Sequence, residues 1–306
     1  MTQREGLQEL ERMAADLPNV AYDDIKAVMR ESIRRIPLPL AIVHANSSID
    51  RARKNDGNNL FTDVHNQLSY IRDANVLAQL SEFGRANQPH QALFYGSINS
   101  TAIPTARITA LAETSSLMQD PTSVCLQGEL YTISRWTNPQ NLTVVEMVFA
   151  RDAIAINPDI SRAFNNQRQF VAQHGVDVGF YTDLLIFVSE QFARRRNTHH
   201  DYKISAAYTE LAFQHPDVQG IAFPSVQTHY RGQNLVFPPN IVDQHLQVSV
   251  LSVQRLHKNG ALFYLNNHKN CENPQQCLNN IQWMDLPPEH IAPDQYIQQY
   301  LAGLIH

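Results

Sequence analysis

Short apolar runs of strand length recur along this chain, separated by stretches whose apolar residues return at helical spacing. Strand-like runs lie at Leu38 to Val43, Ala92 to Tyr95, Leu142 to Phe149, Gly220 to Val226 and Leu246 to Val253. Helical spacing is carried by Leu7, Leu10, Met13 and Ala14 within Gly6 to Leu17, and by Ile25, Val28, Met29 and Ile33 within Asp23 to Ile36. It returns from Pro104 to about Met118, from Thr182 to Arg195 and from Lys203 to His215. Elements of both kinds must bury their apolar faces on one another. Because the alternation is irregular, with strand neighbours toward the end, it predicts an α+β domain with a mixed β-sheet core and flanking helices. The expected organisation is a helical N-terminal extension over 1–42, a main domain over 43–254, and an irregular C-terminal extension over 255–306, where Asn, Gln and Pro accumulate.

The 306 residues, 43% hydrophobic and 17% charged, suffice for a large core, so no disulfide staple is needed. The three cysteines, Cys125, Cys271 and Cys277, fit a reducing compartment. Neither a secretory leader nor a bilayer-length apolar run stands in the sequence, which predicts a cytoplasmic protein, or one delivered into a target cell without a leader, and no membrane partner. The net charge of -5 argues against a nucleic-acid partner. No metal is expected: His199, His200 and Asp201 are too close in sequence to face one ion, and Cys271, Cys277 and His268 lack a usual zinc spacing.

Several polar residues stand where chemistry could be built. Glu113 shares a helical stripe with Ala106, Ala110 and Leu117; taken alone, it reads as an ion-paired or solvated carboxylate. Arg85 and Asn87 lie in the turn from Phe83 to Pro89, which can aim a guanidinium fork at phosphate but reads equally as a surface turn. Tyr95 fits a strand aromatic, and Ser225 a hydroxyl at a strand end. Ser97 to Thr101 reads as a polar connection.

Their order says more than any one of them. Gly84-Arg85-Ala86-Asn87-Gln88-Pro89 is followed by Phe94-Tyr95-Gly96-Ser97, Ala112-Glu113, Phe223-Pro224-Ser225-Val226 and Asn234-Leu235. This succession, spanning Arg51 to Pro239, resembles the RES domain, a family named for its Arg, Glu and Ser. The resemblance implies a fold related to ADP-ribosyltransferases and an activity that degrades NAD, often as the toxin of a toxin-antitoxin pair. It makes Arg85, Glu113 and Ser225 catalytic candidates, with Tyr95, Asn87 and either Arg51 or Arg53 as substrate-binding ones. Two departures stand out: Ala86 replaces a frequent tryptophan, and His90 a frequent glycine.

NAD would then be a substrate, with no resident cofactor; water, inorganic phosphate or a protein side chain could accept the ADP-ribosyl group. The partners implied are NAD and a cognate antitoxin or immunity protein, and a homo-oligomer stays open. The chemistry suits the residues. Nicotinamide leaves as a neutral base while positive charge develops on the ribose, so a carboxylate facing the sugar stabilises the transition state. Arginines on the pyrophosphate would fix the bent pose that brings the reacting carbon to Glu113. A protein ADP-ribosyltransferase and a non-catalytic nucleotide-binding protein of the same fold are the alternatives.

Overall fold

The computed structural model describes residues 1–33, 37–195 and 197–305, so Ile36, at the end of the second expected helix, lies outside the described residues. The elements run α1 (Gln3–Ala14), α2 (Tyr22–Ser32), β1 (Leu40–Val43), β2 (Ser48–Lys54), α3 (Ala74–Gln79) and β3 (Phe94–Ile98), then α4 (Ala106–Thr114), α5 (Ser116–Gln119), β4 (Val124–Thr137) and β5 (Leu142–Glu146). After them come α6 (Arg151–Ile156), α7 (Pro158–Gln173), α8 (Val178–Ala193), α9 (Lys203–Ala212), β6 (Gly220–Pro224), β7 (Gln233–Phe237) and α10 (Pro239–His245). The chain closes with β8 (Gln247–Asn259), β9 (Leu262–Cys271), β10 (Met284–Asp285) and α11 (Asp294–Leu301).

One mixed sheet of ten strands, in the order β1-β5-β6-β7-β3-β2-β4-β8-β9-β10, organises the molecule. Among the described residues only β5 and β6 pair in parallel. The expected α+β class holds. In the middle of the sheet β2 and β3 pair at just two positions, Ile49 with Ile98 and Asp50 with Ser97. Beyond them the strands diverge, β2 continuing along β4 and β3 along β7.

Helices α1, α2, α7, α8 and α9 pack on one face of the sheet, where Leu10, Ile25, Met29, Phe149, Tyr181 and Phe192 join Val145, Ile221, Phe223 and Val236. Helix α4 covers the same face further along, its Ala110 and Leu111 meeting Ala52, Tyr131 and Ile133. On the other face Phe94, Trp136, Leu142 and Phe237 form a second core with Leu68, Ile241 and Ile281. Among the described residues no helix is long and apolar enough to cross a membrane.

Four expectations about local structure need correction. Position 42, the expected end of the N-terminal extension, falls inside β1, which pairs with β5. The helices before it are part of the main core, and the Lys203 ammonium donates to the carbonyls of Leu17 (2.8 Å) and Val20 (2.7 Å). Position 254 falls inside β8, whose hairpin with β9 adds to the sheet; the C-terminal region is therefore part of the architecture and not an irregular appendage. The helix expected to reach Met118 ends at Thr114, because Ser115 takes extended angles (φ -96°, ψ 118°) and caps α5 with its hydroxyl. Ser97 belongs to β3 and not to the connection after it.

Candidate active site

Alternation along the strands decides which side chains share a face, since residues paired across a ladder point the same way. One transverse row joins five strands: Phe223 of β6 opposes Asn234 of β7, Asn234 opposes Ser97 of β3, Ser97 opposes Asp50 of β2, and Asp50 opposes Arg135 of β4. Polar side chains in this row bond to one another. The Ser97 hydroxyl donates to Asn234 Oδ1 at 2.8 Å, and Arg135 grips the fully buried Asp50 through Nε (2.7 Å) and Nη2 (2.8 Å).

Glu113 reaches this row from above. Helix α4 lies across β2, β3 and β7, and Asn234 Nδ2 donates to Glu113 Oε1 at 2.8 Å. Glu113 Oε2 has no hydrogen bond among the described residues, so one carboxylate oxygen is held and the other is open. The seat of α4 is fixed by a glycine: a Cβ on Gly232 would lie 2.4 Å from the Thr109 hydroxyl, so only glycine lets β7 approach the helix this closely. The helix ends immediately after Glu113 and Thr114, where Gln119 Nε2 donates to the carbonyls of Ala112 (3.1 Å) and Glu113 (3.2 Å).

Tyr95 stands two residues before Ser97 on the same face of β3, about 7 Å along the strand. Its hydroxyl donates to Asn87 Oδ1 at 2.7 Å and accepts from the Ala86 amide at 3.1 Å, which latches the Arg85 loop onto the sheet. Burial raises the phenol well above its ordinary pKa, so it remains a neutral donor. The Asn87 amide also donates to the carbonyls of Gln88 and Gln91, both at 3.2 Å. His90 takes a left-handed backbone (φ 62°), which accounts for a glycine being the easier residue there. Ala86 is buried in the main core.

Arg85 Nη1 donates to the carbonyl of Phe192, at the end of α8, and to that of Arg194 at 3.1 Å. The guanidinium sits 4.9 Å from the Tyr202 ring centre and 6.0 Å from that of Phe223. It thus satisfies carbonyls that a helix end leaves unpaired and offsets the negative end of the dipole. Ser225 is buried, and its hydroxyl oxygen accepts from the Thr228 amide at 3.2 Å, which builds the turn into β7. That turn carries His229 and Tyr230 in left-handed conformations (φ 52° and 62°).

Arg51 and Arg53 alternate with Asp50 and Ala52, and so fall on the opposite face of β2 from Asn234. Arg51 lies 5.5 Å from the Phe94 ring centre, and its Nη1 reaches across the divergence of β2 and β3 to the Tyr95 carbonyl at 2.8 Å. Its buried Nε has no partner. Burial, then the nearby Arg53 charge, lowers its pKa to about 10, leaving it cationic at neutral pH. Arg53 donates to the Gln67 carbonyl and lies beside Phe61, further from the divergence.

The structure therefore joins Glu113 to Asn234 and Ser97, and Tyr95 to Asn87 and the Arg85 loop; Phe223 borders both groups. It does not bring Arg51 or Arg53 to the face that carries Glu113. Sequence reasoning misses Asp50 and Arg135 and gives Ser97 and Asn234 no role; the period-two register that unites them becomes visible only once the strands are paired. Among the described residues no cluster of His, Cys, Asp and Glu could hold a metal. Neither a family model nor a curated protein matches the chain.

Proposed function

We propose that this chain is an NAD-consuming enzyme, similar to a RES-domain toxin, which cleaves the nicotinamide–ribose bond and passes the ADP-ribosyl group to water or inorganic phosphate. One observation carries the reading: Glu113 is held at one oxygen by Asn234 and open at the other, on a sheet face shared with Tyr95. A carboxylate so fixed can accept hydrogen bonds from ribose hydroxyls and offset the charge that grows on the anomeric carbon.

In this proposal the substrate lies on the face of Glu113 and Tyr95, and Arg51, whose buried Nε lacks a partner, stands behind it in the gap between β2 and β3. Arg85 and Ser225 act at one remove. Their bonds to the chain's own backbone shape the loop that carries Tyr95's partners and the turn that leads into Asn234. A neutralising protein that covers Glu113 would complete the toxin-antitoxin arrangement.

The test is to incubate purified protein with NAD, with and without phosphate, and to follow free nicotinamide. Glu113→Ala should slow its release by roughly 100- to 1,000-fold, the scale of losing one well-placed electrostatic contact. Persistence of NAD with the wild-type protein under both conditions overturns the proposal. Equal activity of the two proteins removes Glu113 from it.

A further inference from the structure

We propose that Asn234 is the positioning residue that aims the Glu113 carboxylate, and that Ser97 holds the other end of the Asn234 amide in place. The kinetic part of this inference rests on the proposed NAD cleavage; the geometric part stands without it.

An asparagine amide has one accepting and one donating end, and its neighbours must say which way it points. Here they leave a single consistent assignment. A carboxylate accepts only, so Glu113 requires Nδ2, 2.8 Å away. The opposite end, Oδ1, then needs a donor, and the Ser97 hydroxyl supplies one at 2.8 Å. Turning the amide over would set two acceptors against each other at that distance. Asn234 and Ser97 are only 5% and 2% exposed, so water is a poor substitute for either bond.

The platform beneath them is stiff. Ser97 and Asn234 oppose each other in the β3–β7 ladder, and the close approach of Gly232 to Thr109 fixes α4 above it. A glutamate on a helix surface turns freely about its side-chain bonds. One charge-assisted bond from a buried amide removes much of that freedom and leaves Oε2 as the oxygen without a partner among the described residues. The next carboxylate in the row, Asp50, is already gripped by Arg135, so it presents no bare charge to compete with Glu113.

A positioning role separates kcat from KM, because Asn234 would act through Glu113 and not on NAD. Asn234→Leu, close in volume and without a donor, should lower kcat for nicotinamide release roughly 100-fold with KM within about twofold, the scale of a displaced catalytic group. Ser97→Ala should lower it roughly tenfold, and the Ser97→Ala/Asn234→Leu double variant should be no slower than Asn234→Leu alone. Asn234→Ser, which keeps a hydroxyl donor, should recover part of the loss and covers the case in which leucine prevents folding. Losses that multiply in the double variant, or a rise in KM at constant kcat, overturn the inference.

A second measurement needs no NAD. The side-chain amide resonances of Asn234 in 15N spectra should move, and exchange faster with water, in Glu113→Ala. If they stay in place, the bond that aims the carboxylate is not made and the inference falls even if NAD is consumed. If they move while NAD remains intact, the aiming contact survives and the assignment of NAD as substrate is what fails.

Discussion

The pair between Asp50 and Arg135 offers an asymmetric test of the polar row on which Glu113 rests. Both contacts are short and parallel, at 2.7 and 2.8 Å, but the partners differ in access to water: Asp50 is fully buried, whereas 28% of the Arg135 side chain is exposed. Arg135→Ala strands a carboxylate in the sheet with no cation, which costs about 3–5 kcal/mol. Asp50→Asn leaves an arginine that can turn toward solvent, so only the charge-assisted part of the contact is lost, about 1.5–3 kcal/mol. At roughly 2 °C per kcal/mol for a chain of this size, the melting temperature should fall by about 6–10 °C in the first case and about 3–6 °C in the second. The double variant Asp50→Asn/Arg135→Ala should melt above Arg135→Ala, since the stranded charge is gone. Calorimetry or circular dichroism at neutral pH reads all three. If Asp50→Asn is the more damaging single change, or the double variant melts lowest, burial does not govern this pair and the reasoning fails.

Two further outcomes follow from groups outside that row. Glu146 ends β5 over a trough of about 440 Å³ lined by Val43, Ile98, Val144, Ala222 and Leu235, and burial raises its pKa. The unfolded chain therefore ionises first as pH rises, so Glu146→Gln should stabilise the protein at pH 7, with the gain vanishing below about pH 4; melting curves at the two pH values check the sign. Arg85→Ala should lower the melting temperature by the equivalent of about 2–3 kcal/mol, because the end carbonyls of α8 lose their donor, and a variant as stable as the wild type would assign the arginine to ligand alone.

Much of the architecture is legible in the residues. The apolar spacing of Leu7, Leu10 and Met13 matches α1, and the runs at residues 220–226 and 246–253 match β6 and most of β8. Strand β4 escapes because it carries two breaks in register against β8 and a left-handed Gly128, which blur its period. Helix α7 escapes because only Ile160, Phe164 and Val171 of its sixteen residues are buried, too sparse a stripe to be seen. Asn87, Tyr95 and Glu113 can each be picked out as polar or aromatic residues in suggestive places. What joins Glu113 to Asn234 is a helix crossing β2, β3 and β7, strands from distant parts of the chain, which no local pattern encodes.

The two-position contact between β2 and β3 also bears on how the protein is made. It divides the sheet into two leaves of five strands, β1-β5-β6-β7-β3 and β2-β4-β8-β9-β10. The chain passes from one leaf to the other between β1 and β2, β2 and β3, β3 and β4, β4 and β5, and β7 and β8. Neither leaf is a continuous stretch of sequence, so neither can be cut out and expected to fold alone. The pairing of β2 with β4, and of β4 with β8, closes long loops before the sheet repays their entropy, a topology that folds slowly. A ribosome must release β8 before the second leaf can close, so the strand that bears Arg135 waits for its outer neighbour until most of the chain has been synthesised.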